Sequence, residues 1–344
     1  MTRPLTVALD AMGGDNAPGS VVLGALNALP QLSGFKFLFF GDQEKLAPIL
    51  LRHPELHLVS EIRHTTGIVS DDDKPTAVLR SGKDTSMWQA IESVAKGEAD
   101  CIVSGGNTGA LMVLARKHLK MLPGIDRPAI AAPLPTLTGQ TVVLDLGANV
   151  DCDPEHLEQF ALMGAVYAKA VLGVKEPKIG LINVGEEEQK GSELVKKTAV
   201  LLRASKLPGE FVGFIEGNDI GRGVVDVAVT DGFTGNVLLK TAEGTAYFIR
   251  TTLKELANES WLNKLSILLA LPVLNKLRKR IDPRQYNGAM FVGLGGVCVK
   301  SHGGMDEKGF ANAIKIAANL VKNRFNEQVA KDLHGLAHST DEAA

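Results

Sequence analysis

The chain has 344 residues, of which 45% are hydrophobic and 22% charged, the composition of an ordinary soluble protein able to bury a large core. Its 37 basic and 39 acidic residues leave a net charge of −2, and only 5% are aromatic, so there is no basic field and little stacking surface for nucleic acid. Cys101, Cys152 and Cys298 are far apart with no CxxC, which argues against a disulfide framework or structural zinc and fits a reducing cytoplasm.

The opening "MTRPLTVALD" admits an acid at once and does not read as a secretory leader. "TVALD" (6–10) predicts a strand. In the glycine turn after it, Asp10 and Asp15 either cap the turn or order donors around Gly13 and Gly14, whose bare backbone lets an anion come close. "FKFLFF" (35–40) predicts a second strand, and helical period follows over 84–96. "DCIVSGG" (100–106) is a third strand, leading into a helix over 108–120 with Asn107 and Thr108 at its N-terminus. "TVVLDLGAN" (141–149) ends on Asn149, and a helix follows over 154–173. After "KIGLINVG" (178–185), Lys190 stands behind Glu186, Glu187 and Glu188. That run is either the acidic start of a helix over 190–205 or a metal-binding trio. "VDVAVTDG" (225–232) leads to a helix over 234–258, headed by Asp231, Thr234 and Asn236.

The stretch 261–284 differs in kind. "LSILLALPVL" is too short, and too interrupted by Pro272, to span a bilayer. It is flanked by Lys264, Lys276, Arg278, Lys279, Arg280 and Arg284, which makes it either a buried helical hairpin or dimer contact, or an exposed basic, apolar element for an anionic membrane surface or an acidic carrier protein. "SHGGMDE" follows, in which His302 and Asp306 spell HxxxD, a spacing some acyltransferases use. His302 belongs either to a site or to a glycine turn. A helix over 308–323 comes next, and the tail 327–344 loses its period and is expected to be partly disordered.

Apolar strands alternating with helices predict a doubly wound α/β domain over 3–326, with a mostly parallel sheet covered on both faces, two lobes around a cleft, and 258–284 as a protruding insertion. The polar clusters are expected together at one sheet edge, where strand carboxyl ends meet helix N-termini. The chain lacks G-x-G-x-x-G after a strand, a Walker P-loop, G-x-S-x-G and H-E-x-x-H. An anion-binding edge without a nucleotide motif or an obvious nucleophile suits phosphate as the attacking group.

"LDAMGGDNAP", "SGGNTGALM", "LDLGAN", "NVGEEEQKG", "TDGFTGNVLLK" and "VKSHG", in this order, closely resemble the phosphate acyltransferases of bacterial phospholipid synthesis. The resemblance implies a fold like that of phosphotransacetylases and isocitrate dehydrogenases. It implies a homodimer that moves an acyl group from acyl-acyl-carrier protein to inorganic phosphate, without metal or cofactor. The acyl-phosphate would pass to a membrane glycerol-3-phosphate acyltransferase, which implies a cytoplasmic protein peripherally associated with the membrane. Lys190, Asn236 and His302 are then the catalytic candidates. Asp10, Gly13, Gly14, Ser104, Gly106, Asn107, Thr108, Gly109, Asn149, Asp231, Thr234, Lys300 and Ser301 are the candidates for holding phosphate or substrate. Two alternatives stay open: a phosphotransacetylase-like enzyme using acyl-CoA, and a non-catalytic, membrane-docked scaffold.

Overall fold

The computed structural model describes residues 4–32, 34–280 and 282–341. Its first half holds β1 (Leu5–Asp10), α1 (Gly19–Ala28), β2 (Phe35–Gly41), α2 (Gln43–Leu50), α3 (Pro54–His57), β3 (Ser60–His64), α4 (Pro75–Ser81), α5 (Ser86–Ala95), β4 (Cys101–Ser104), α6 (Thr108–Leu119), β5 (Ala129–Pro135), β6 (Gln140–Leu144) and α7 (Pro154–Tyr167). The second holds β7 (Lys178–Ile182), α8 (Glu193–Ala204), β8 (Glu210–Ile215), α9 (Gly217–Arg222), β9 (Val227–Val229), α10 (Gly232–Glu259), α11 (Trp261–Arg280), β10 (Ala289–Val292), β11 (Val297–Lys300), α12 (Glu307–Lys322) and α13 (Phe325–Asp341).

The strands form one sheet in the order β3-β2-β1-β4-β11-β10-β5-β6-β9-β7-β8. Among the described residues, seven of its ten strand pairs are parallel. The antiparallel pairs β11–β10, β10–β5 and β5–β6 lie at the centre. They reverse the sheet's sense, so β6, β9, β7 and β8 run opposite to β1, β2, β3, β4 and β11. The strands missing from the six apolar runs each have a local reason. β3 is a charged edge strand, β5 carries two prolines and small alanines, β8 is interrupted by Gly213, and β10 and β11 have four residues each.

Side-chain alternation fills both faces. Val7, Leu9, Cys101, Val103, Val142, Leu144, Val227 and Val229 join one continuous core with residues of α1, α7 and α12. The opposite face carries two separate cores. Ala8, Ile102 and Cys298 pack with α5 and α6, while Val143, Ala228 and Ile215 pack with Ile220 of α9 and Leu238 and Leu239 of α10. Ile130 touches both at the seam. The expected two lobes thus share one face of the sheet and divide on the other.

Two regions of the chain depart from expectation. Helix α13 carries regular structure past residue 326 to Asp341, and its Phe325 and Val329 are fully buried. The outward-standing element begins earlier than 258. α10 buries only Gly232 and Gly235, and its residues from Lys240 to Arg250 are exposed throughout. α11 runs through Pro272 without ending. No helix among the described residues is long and apolar enough to cross a membrane.

Candidate active site

Three loops meet at the carboxyl ends of β1, β4 and β11. The register aligns Asp10 with Ser104 and Ser104 with Lys300. Since Ala8, Ile102 and Cys298 face α5 and α6, alternation puts Asp10, Ser104 and Lys300 on that face too. Asp10 is fully buried and accepts hydrogen bonds from the hydroxyls of Ser86 and Ser104, each at 2.6 Å. Burial pushes its carboxyl above the ordinary range, and the Ser104 and Ser86 hydroxyls pull it back. Ser104 Oγ in turn accepts from the Gly106 N–H. A Cβ on Gly13 would meet Asp10 and the Gly106 nitrogen, and one on Gly14, at φ +107°, would meet the carbonyl of Gly303. Only glycine lets these loops approach so closely.

Several residues expected to hold phosphate through their side chains are committed inward. Ser104 and Asp10 satisfy each other. The Asn107 side-chain oxygen caps α6 through the Ala110 N–H, while its amide donates to the carbonyls of Ser70, Asp71 and Asp73. The buried Ser301 hydroxyl accepts from Asn287. Besides the Lys300 ammonium, what these loops leave for an anion is backbone: the N–H groups of Thr108 and Gly109 lie in the first turn of α6, where a helix supplies no acceptor. His302 is exposed; its backbone N–H donates to Asn287 and its Nδ1 accepts from Gly304. Asp306 instead caps α12 and accepts from Arg284, so the HxxxD pair is not a bonded unit.

A second group lies at the carboxyl ends of β6, β9 and β7. Asp145 accepts five hydrogen bonds, from the N–H groups of Ile130, Gly147, Ala148 and Asn149 and from the Asn149 amide. Asn149 also donates to the Pro128 carbonyl, so its side chain is structural. Asp231 caps α10 through the N–H and hydroxyl of Thr234. Asn236, one turn on, is exposed and lies beside Gly147. Lys190 is exposed and paired with Glu187 at 2.8 Å, which raises the ammonium and lowers the carboxyl from their ordinary values. Glu188 pairs with Arg203, so cations occupy two of the three glutamates. Among the described residues, no three His, Cys, Asp or Glu side chains gather as a metal would require.

The expectation of a single edge is therefore corrected. β6, β7 and β9 run against β1, β4 and β11, so the Lys190–Asn236 group and the Lys300–His302 group lie at opposite edges of the ladder. No hydrogen bond among the described residues joins them. They do share a sheet face, because the core of Ala8, Ile102 and Cys298 under the first group and the core of Val143, Ala228, and Leu238 and Leu239 of α10 under the second meet at Ile130. Sequence reasoning missed Ser86, Asn287 and Glu187 as partners. Ser86 opens a helix behind Thr85, a recognisable capping position, whereas nothing near Asn287 marks it.

Arg284 is also corrected. It holds Asp282 at 2.5 Å and Asp306 at 3.1 Å, so it clamps the sheet domain and is not a free member of a basic patch. Lys264 and Lys276 are exposed, and the side chains of Arg278, Lys279 and Arg280 lie outside the described residues. Burial pushes all three thiols up, that of Cys152 to about 11, the opposite of what a thiolate nucleophile needs.

The model of the "Fatty acid synthesis protein" family matches residues 5–328. A phosphate acyltransferase of Rhodospirillum centenum is 54% identical over 344 residues, covering 100% of this chain and 97% of the relative. One of Paramagnetospirillum magneticum is 54% identical over 336 residues, covering 98% and 96%. Among solved structures, a phosphotransacetylase from Streptococcus pyogenes superposes with a TM-score of 0.60 at 17% identity, covering 94% of this chain and 95% of that one. That likeness concerns the fold alone.

Proposed function

The chain belongs to the phosphate acyltransferase family and forms acyl-phosphate, from which we infer that it takes its acyl group from acyl-acyl-carrier protein and hands it directly to inorganic phosphate. The observation that carries the reading is the similarity to named phosphate acyltransferases across the whole chain. In this reaction a phosphate oxygen forms a bond to the thioester carbon, the tetrahedral oxyanion collapses, and the carrier's thiolate leaves and takes a proton. Phosphate binds at the glycine loops, where the first-turn N–H groups of Thr108 and Gly109 face the anion. Asp10, Gly13, Gly14, Ser104, Gly106, Asn107 and Ser301 hold those loops in shape, and His302 protonates the leaving sulfur.

Lys190 and Asn236 come from the ends of the neighbouring strands β7 and β9 and donate to the thioester oxyanion. Sheet twist supports their working opposite the phosphate loops. At about 20–25° per strand, the six steps from β1 to β9 add up to roughly 130°, which turns two reversed strand directions back toward one side. The shared face and the divided core favour the same cleft. The product is an amphiphile destined for a membrane glycerol-3-phosphate acyltransferase, and the exposed α10–α11 hairpin gives this homodimer contact with an anionic membrane surface or with the carrier protein. The deciding experiment measures free thiol released from acyl-acyl-carrier protein with and without inorganic phosphate. Release only with phosphate is expected. Release only from acyl-CoA, or none from either donor, would overturn the assignment.

A further inference from the structure

Lys300 is the cation most deeply set among the glycine loops. Its ammonium donates to the Gly105 carbonyl at 3.1 Å and to the Ser301 carbonyl, so one side chain ties the loop after β4 to the loop after β11. The third loop is tied to the same place, since the Asp15 N–H donates to the Gly303 carbonyl and a Cβ on Gly14 would touch both Gly303 and Gly105. An ammonium has three N–H bonds, and two go to carbonyls. Its third hydrogen and its charge remain, beside the loop that leads from β4 into α6. Three carboxylates face it: Asp10 at the end of β1, Asp15 in the following loop and Asp71 in the segment that Asn107 holds. His302 is two residues on in the chain. Without the ammonium, three acids and the carbonyls of Gly105 and Ser301 would surround an incoming dianion.

We propose that Lys300 is the positioning residue of the phosphate loops, drawing the Gly105 and Ser301 carbonyls inward and offsetting the acids, so that phosphate binding is lost when this one ammonium gives up its proton. The inference rests on the reading of these loops as the phosphate site. Burial brings the Lys300 ammonium down to about 8, against the pull of Asp71, Asp10 and Asp15. Below that pH the ammonium is charged and the loops are held; above it the charge goes. Phosphate is already a dianion there, so its own ionisation adds no slope.

The test measures the KM for phosphate, and the binding of inorganic phosphate alone by calorimetry, between about pH 7 and pH 9.5. The wild-type KM should climb about tenfold per unit above pH 8, while kcat at saturating phosphate changes far less. Lys300→Met should raise the KM by about tenfold to a hundredfold at neutral pH and abolish the slope. Lys300→Arg, whose guanidinium stays charged, should also lose the slope. A flat wild-type profile, which does not depend on any variant folding, would overturn the proposal, as would normal phosphate binding by Lys300→Met. Thr108→Pro keeps the two failures apart. It deletes one first-turn N–H at a helix position that accepts proline. If it weakens phosphate binding and Lys300→Met does not, only the role of Lys300 falls. If neither does, the phosphate site lies elsewhere.

Discussion

Among single residues, the buried aspartates carry a structural duty and Lys190 is proposed to carry a chemical one, and the two should separate under mutation. Asp10→Ala leaves the Ser86 and Ser104 hydroxyls without their acceptor in a fully buried place. A buried polar group stranded in this way costs about 1–3 kcal/mol, so thermal unfolding should show a clear loss of stability before any kinetics are read. Lys190→Ala removes an exposed ion pair, and surface pairs contribute little to folding. Its melting curve should match the wild type while turnover drops about a hundredfold. Because Asn236 is proposed to serve the same oxyanion, adding Asn236→Ala should cost less than its single effect. Full additivity would assign the two residues to different tasks.

At the level of elements, the glycine pair at the head of α10 sets how closely that helix meets the sheet. A Cβ on Gly235 would run into the Asp145 carbonyl oxygen, and one on Gly232 would meet the Asn149 backbone. Asp145 organises the same loop through five hydrogen bonds. Gly235→Ala should therefore push α10 outward, taking Asn236 away from Gly147. The expected result is a lowered melting temperature with a loss of kcat larger than any change in the KM for phosphate, since the loops proposed to hold phosphate follow β1, β4 and β11. An equal loss in both would show that the two groups move as one body.

For the whole molecule, the α10–α11 hairpin is the feature the sheet domain does not explain. Tyr247 and Trp261 are each 72% exposed and Leu269 is 76% exposed, far more apolar surface than a monomer ordinarily leaves to water. Lys264 and Lys276 stand exposed on the same element. Each basic residue near an anionic surface contributes about 1 kcal/mol, screened by salt. Changing Lys264 and Lys276 to Glu, together with Arg278, Lys279 and Arg280, should abolish flotation with anionic vesicles while sparing turnover on soluble substrate. If carrier-protein turnover fails and vesicle binding persists, the hairpin is the carrier's dock. A change in sedimentation alone would make it the contact between two copies.

The sequence by itself determined the class of fold and the positions of the polar clusters. Both are local properties: an apolar run ending in glycine and an Asx or Ser residue is a strand and its turn, whatever lies beyond. The heads of α6 and α10 were legible in "SGGNTG" and "TDGFTGN" for that reason. Tertiary structure alone decided which clusters are neighbours. Strand direction is not written in a strand's residues, and the short β10 and β11, with the proline-bearing β5, reverse the sheet and divide one expected edge into two. It also decided which side chains are free. Asn107, Asn149 and Ser301 read as ligands from their residue types, but Asn107 is bound to the Asp71 carbonyl, Asn149 to the Pro128 carbonyl and the nearby Asp145 carboxylate, and Ser301 to the Asn287 amide, because a buried polar group must find a partner and takes the nearest one the fold brings.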